Sequence, residues 1–299
     1  MRILIMAIGF LLATFQSVSA AVYQQGVVYV IYDEAGENAV KDTADLNSND
    51  VPDVIEDIAT QVNAARELFK DVFDFPDPLE SERFKGATSI EVDILARENM
   101  SNKNGQAISS VRKQSVHDPN EAAIHIRVAN TVNPRKSSTP EHEYFHLIQY
   151  GATYFRNGWY LEGMANWSQD SVAATKEYPD GKSIKSTLKD TATLDDIYQS
   201  KYNVSKSLWY PLAVSKKDKA KIPAAMIKKY KYVDGSPVFH DDIFYGPNVM
   251  REVLRKMKSR EEVAGANFGS VEKWRKKGQR NEQNNGFIME CVRDVYNSK

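Results

Sequence analysis

A single cysteine among 299 residues rules out an intrachain disulfide, so the folded state must rest on its apolar core and on any ions it binds. That residue, Cys291, sits in the apolar run 286–292 and reads as a buried, inert thiol. Net charge is nearly absent. The 39 basic and 40 acidic residues leave −1, which gives no overall pull toward nucleic acid or membrane. No phosphate loop, dinucleotide fingerprint, G-x-S-x-G turn or zinc-finger spacing occurs. Apolar runs of membrane-spanning length are also missing; the run 3–15 is too short for a confident span. Met1-Arg2 precedes that run and Gln16-Ser17-Val18-Ser19-Ala20-Ala21 follows it, which is the build of a secretory signal peptide cleaved after Ala20 or Ala21. Export is therefore expected, to the periplasm or beyond, with no integral membrane segment in the mature chain.

Histidine is scarce too, with 5 in all, yet two of them fall in one pentad: His142-Glu143-Tyr144-Phe145-His146. The flanks of this H-E-x-x-H pattern are those of a helix. Ser138 or Thr139 suits the N-cap, Pro140 the first turn, Glu141 the positive helix end and Gly151 the stop. Residues four apart share a helix face, so both imidazoles can aim at one point. Glu143 lies one residue further round, as suits a carboxylate that holds a water beside a metal without binding the metal. Glu162 follows 16 residues after His146, in N-G-W-Y-L-E-G-M-A-N-W, which reads as a second helix that can return a carboxylate to the histidines. Gly163 and Ala165 would permit close approach of the two backbones. Asn166, one turn on, could orient a ligand imidazole. Asp170 is the fallback third ligand.

A second cation signal lies earlier. Asp45, Asn47, Asn49, Val51 (through its carbonyl), Asp53 and Glu56 fall at the oxygen positions of a calcium-binding loop. Asp50 stands where glycine is usual, although aspartate tolerates the left-handed conformation better than most residues. The plainer reading is a solvated turn feeding a helix.

The order of patterns indicates an α+β fold. Residues 26–32 and 121–132 read as strands, 88–95 alternates like a half-buried strand, and 52–73 has helical periodicity. His125, mid-strand, reads as outward-facing and structural. Residues 99–114 read as loop. Helical patterns recur at 205–215, 221–232, 238–245, 248–257 and 268–279. The expected organisation is a signal at 1–20, an N-terminal lobe at 21–151 ending in the pentad helix, and a mainly helical lobe at 152–299. Residues 1–170 carry a net −10 and the remainder +9, an asymmetry that can polarise a cleft between lobes, although lysines that merely solvate helices explain it more simply.

The pentad followed by Glu162 resembles the gluzincin branch of the zincin metallopeptidases. The D-x-N-x-N-D-V-P-D-x-x-E segment and W-Y-L-E-G-M-A-N-W, in that order, are similar to those of a group of secreted bacterial metalloproteases. The resemblance covers roughly residues 26–170. It implies a zincin-like fold with a small mixed sheet, a helical C-terminal lobe and the active-site helix between them. It implies zinc on His142, His146 and Glu162, a zinc-bound water activated by Glu143 as general base, and a peptide or protein substrate paired along strand 121–132. Two departures stand out. Asn166 occupies the place of an aspartate, and no motif fixes the oxyanion donor, for which His240, Tyr245 and Tyr210 are the candidates. The competing readings are a non-peptidase zinc hydrolase on the same scaffold and a non-catalytic, calcium-stabilised extracellular binding protein.

Overall fold

A computed structural model describes residues 20–172, 183–200 and 202–298 of the chain. The signal-peptide expectation for 1–19 lies outside them. The architecture is α+β, with a small mixed sheet and helices in the N-terminal half and mainly helices after it. Strand β1 (Ala21–Gln25) turns at Gly26, whose φ of +63° favours glycine, and pairs antiparallel with β2 (Val28–Tyr32). Strands β3 (Ser89–Leu95), β4 (Gly105–Ala107) and β5 (Ala123–Ala129) complete the order β1-β2-β3-β5-β4. The β2–β3 and β3–β5 pairs are parallel, while β4 runs antiparallel to β5 and forms the free edge.

Strand β3 is buried on both faces, not half-buried as its alternation suggests. Ile90, Val92 and Ile94 enter the core. On the other face, Arg112 reaches Glu91 and Asp93, each at 2.5 Å, and His117 Nδ1 lies 2.9 Å from Glu91. The segment carrying Arg112 and His117 covers this face, so the charges are buried but paired. His125 pairs in register with Glu91, away from the apolar core as expected, and it too is covered. Burial, then Arg112, pushes its imidazole down to about 4.

Helix α1 (Asp53–Glu67) presents Val54, Ile58, Val62 and Ala65 to the core and ends in a π turn, Leu68–Val72. Helices α2 (Thr139–Ala152) and α3 (Gly158–Ser168) follow β5. Phe69, Phe145, Trp167 and Phe244 meet edge-on or tilted, with centroids 4.9–6.4 Å apart, and join these elements to the C-terminal half. One continuous apolar core therefore runs through both expected lobes.

Two expectations change. The segment 238–245 contains strand β7 (Ile243–Tyr245), paired with β6 (Lys219–Lys221), in place of a helix. Its apolar residues pack Phe244 against Trp167, and Tyr245 accepts the Trp167 indole N–H through its carbonyl at 2.7 Å. The expected loop 99–114 contains β4. Cys291 is buried as the sequence suggests, within a C-terminal helix, Asn284–Asn297, where burial pushes its thiol up to about 11. Among the described residues, no helix is long and apolar enough to cross a membrane.

Candidate metal centre

Helix α2 starts as the sequence suggests, with Ser138 at the N-cap position and Pro140 in the first turn, but Ser138 caps no N–H. Gln61 of α1 does that work. Its Oε1 accepts the Glu141 N–H at 3.2 Å, while its Nε2 donates to the Pro134 and Ser137 carbonyls. The Ser138 hydroxyl is released to donate to Gln169 Oε1 at 2.5 Å. Gly151 does not end the helix, which runs on to Ala152. A Cβ there would sit 3.1 Å from Ser81 and 3.2 Å from Pro78, so this glycine serves close packing.

His142 and His146 stand one above the other, ring centroids 4.7 Å apart. Helix α3 brings Glu162 to both. Its Oε2 is 3.4 Å from His142 Nε2 and 3.6 Å from His146 Nε2. Two ligands ~2.1 Å from a tetrahedral zinc stand ~3.4 Å apart, so the separations fit one shared ion. Among the described residues these three form the group whose donor atoms converge, all within 4.8 Å of one another. Asp170, the fallback, is buried and outside the group. Burial raises the Glu162 carboxyl, but hydrogen bonds from His142 and His146 outweigh it and hold the group below its ordinary range. Burial likewise lowers His146, and Glu162, Glu143 and Gln149 outweigh it to leave the imidazole raised.

Two glutamines that sequence reasoning missed hold the imidazoles. Gln149 Oε1 lies 2.8 Å from His146 Nδ1, and its own Nε2 is fixed to the Leu161 carbonyl at 3.2 Å. The carbonyl oxygen must accept, so His146 Nδ1 carries a proton and the ring presents its Nε2 edge to Glu162. Gln169 touches His142 Nδ1 through its amide. Asn166, expected to orient an imidazole, instead accepts from Gln169 at 3.1 Å and donates to the Tyr202 carbonyl at 2.8 Å. It acts one step removed. Gly163 admits Val204 and Trp209, not α2; a Cβ there would lie 2.6 Å from Val204.

Beneath the first turn of α2, the Glu141 carboxyl is fully buried, and burial pushes it up to about 8.

The group opens on a cleft of about 820 Å³. Glu143, 7% exposed, lies against Gly105 of the edge strand β4, where a Cβ would meet its Oε1 at 2.5 Å. The free edge beside the centre is therefore β4, since β4 covers the strand β5 that the sequence suggested for that role. The three oxyanion candidates lie elsewhere. Tyr210 is buried in the core, Tyr245 sits on β7, and His240 is exposed; none lines the cleft. Tyr202 does, and the nearby charge of Glu162, then burial, raises its hydroxyl.

In the acidic loop, Asp50 takes the left-handed conformation at φ +65°, as the calcium-loop spacing requires at that point. Asp45 accepts the N–H groups of Asn49 and Asp50, and Glu56 accepts the side-chain amides of Asn47 and Asn49, both at 2.9 Å. Asp53 is tied to Arg135 at 3.2 Å and accepts the Leu46 N–H at 2.9 Å. Glu56 closes the loop, and Asp53 is partly committed to a guanidinium. Comparison of the chain with family models, with curated proteins and with solved structures finds no match.

Proposed function

We propose that the chain is an exported, zinc-dependent metallopeptidase. The observation that carries this reading is the convergence of His142 Nε2, His146 Nε2 and Glu162 Oε2, with Glu143 beside them and outside the donor set, at a cleft bordered by a free strand edge. Two imidazoles and one carboxylate suit zinc and leave a coordination position open. Bound zinc supplies Lewis acidity toward a carbonyl and lowers the pKa of a coordinated water.

The chain's own residues do the rest. Gln149 keeps the His146 lone pair on the metal side, and Gln169 with Asn166 steadies His142. Glu143 accepts the proton of the attacking water and passes it to the leaving amine. The β4 edge offers backbone groups with which an extended peptide can pair. Tyr202, which lines the cleft, is the hydroxyl we assign to donate to the developing oxyanion. Calcium in the Asp45–Glu56 loop belongs to the same reading as a stabiliser. It requires the Asn47 and Asn49 carbonyl oxygens to turn toward Glu56 in place of their NH2 groups, and a calcium-dependent rise in Tm tests it.

Glu143→Gln tests the assignment. The variant is expected to hold zinc like the wild type and to lose ~10²–10⁴ in turnover on peptides. Undiminished activity sinks the mechanism. Cleavage of esters or non-peptide amides, with none of peptides, would favour another hydrolase on the same centre.

A further inference from the structure

The cleft walls carry charge of one sign. Apart from Glu143 and Glu162 at the centre, the charged side chains lining it are Arg97, Lys103, Arg156 and Arg280, all cationic. Arg97 and Lys103 flank the start of β4. Arg156 and Arg280 face them from the segment between α2 and α3 and from the C-terminal half, and the Arg156 N–H joins the Gln279 carbonyl at 2.8 Å. Among the described residues, Arg280 forms no ion pair or hydrogen bond.

Arg156 is the more telling of the pair. Its Nη1 donates to Ser109 Oγ at 2.8 Å and its Nε is buried without a partner. Its guanidinium lies 4.7 Å from the Tyr150 ring centroid, and Tyr150 stacks on His146 at 6.0 Å. Behind Tyr150 stands another arginine without a carboxylate. Arg83 packs 4.0 Å from the Tyr154 centroid and reaches Gln279 Oε1 at 3.1 Å. The buried acid whose charge acts on Arg83, Glu261, is already held by Lys258 at 3.1 Å and Arg275 at 3.3 Å. Gathering guanidiniums with no anion between them costs free energy unless an incoming anion completes the set. The aromatic faces account for how Arg83 and Arg156 are held, but not for Arg280, which is exposed and lines the cleft near enough to Tyr150 for its charge to act on that hydroxyl.

We propose that this end of the cleft, built by Arg156 and Arg280 beside Tyr150, is a specificity subsite for a substrate carboxylate. The ligand chemistry is an Asp or Glu side chain near the scissile bond, or the free C-terminal carboxylate of a peptide. Bidentate pairing with a fork-shaped guanidinium suits either. The proposal rests on the peptidase reading, and its test is chosen to fail separately.

The test uses the full mature chain loaded with zinc, and first the Glu143→Gln variant, so that binding is read without turnover. Peptides differing only by Glu against Gln at successive positions, and by a free against an amidated C-terminus, are titrated by fluorescence anisotropy. The acidic member is expected to bind on the order of 10- to 100-fold tighter at one position, with the gap shrinking at high salt. Glu-for-Gln selectivity identifies the side chain as the source; selectivity for the free terminus identifies the C-terminus. Arg280→Gln, at an exposed side chain with no ion pair or hydrogen bond among the described residues, is expected to cut that ratio at least about tenfold. Arg156→Lys keeps the charge, loses the fork and should cut it less. A Glu/Gln and acid/amide ratio near one at every position overturns the proposal, and so does a preference unchanged in Arg280→Gln. If the wild type cleaves peptides with no such preference, the subsite fails and the peptidase reading stands. If acidic peptides bind in an Arg280-dependent way but no peptide is cleaved, the subsite stands and the peptidase reading fails.

Discussion

Gly105→Ala should disable the centre without removing any group assigned to it. A Cβ at this position would lie 2.5 Å from Glu143 Oε1, 2.6 Å from Glu143 Cγ and 2.7 Å from Thr139 Cγ2. Ordinary carbon contacts need ~3.5–4.0 Å, so something must give by about 1 Å. The strand cannot easily retreat, because Gly105 is in register with Val128 and Asn104 accepts the Ala129 N–H at 2.8 Å. Thr139 belongs to the first turn of α2, which Gln61 anchors. The Glu143 side chain is the softest of these parts and moves. A reacting group misplaced by ~1 Å costs about 10²-fold, which is ~2.7 kcal/mol of barrier. Overpacking should also cost ~1–3 kcal/mol of stability. Zinc content should not change, since Glu143 is not a ligand. The assay is steady-state turnover on the best peptide from a fluorogenic panel, with zinc by elemental mass spectrometry and Tm alongside. Gly286→Ala, where no atom lies within 4 Å of an added Cβ, is the control. A Gly105→Ala protein with full zinc and turnover within about threefold of wild type would refute the claim that Gly105 sets the position of the proton acceptor.

The Gln149 amide is expected to matter through His146. Gln149→Leu frees His146 Nδ1 and should weaken zinc binding ~10- to 100-fold in a competitive chelator titration, with the fold retained by circular dichroism. His125 governs part of the acid limb of stability. Its folded value of about 4 is below the ordinary imidazole, so it contributes stability that is present above pH ~6.5 and is lost as pH falls through about 4. His125→Gln should flatten urea-measured stability over that window by on the order of 2 kcal/mol after solvent screening, and an unchanged acid limb would contradict the buried, neutral histidine.

What the sequence disclosed about the site is what helical geometry makes local. The spacing of His142 and His146 already implies a shared face, and Glu162 needed only a short return to reach them. Gln149 was within reach of the same logic, being three residues after His146 on the same helix, but neutral amides are too common to stand out. Gln169 follows Glu162 by two turns and was hidden behind the expectation for Asn166. The oxyanion candidates fall outside the cleft for a different reason. They were chosen by side-chain type among C-terminal aromatics and histidine, and only tertiary packing decides that Tyr202 lines the cleft while Tyr210 is core. Strand β4 was invisible because three residues, Gly-Gln-Ala, carry no periodicity; their pairing with β5 makes them a strand. The exposure of β3 was misjudged because Arg112 and His117, more than twenty residues away, cover Glu91.

The three-ligand centre is tested most directly by zinc content in purified mature protein, comparing wild type with His146→Ala and Glu162→Ala. One zinc per wild-type chain, lost or greatly weakened in both variants, is the predicted result. Zinc retained at full occupancy in Glu162→Ala, or no zinc in the wild type after reconstitution, would contradict it.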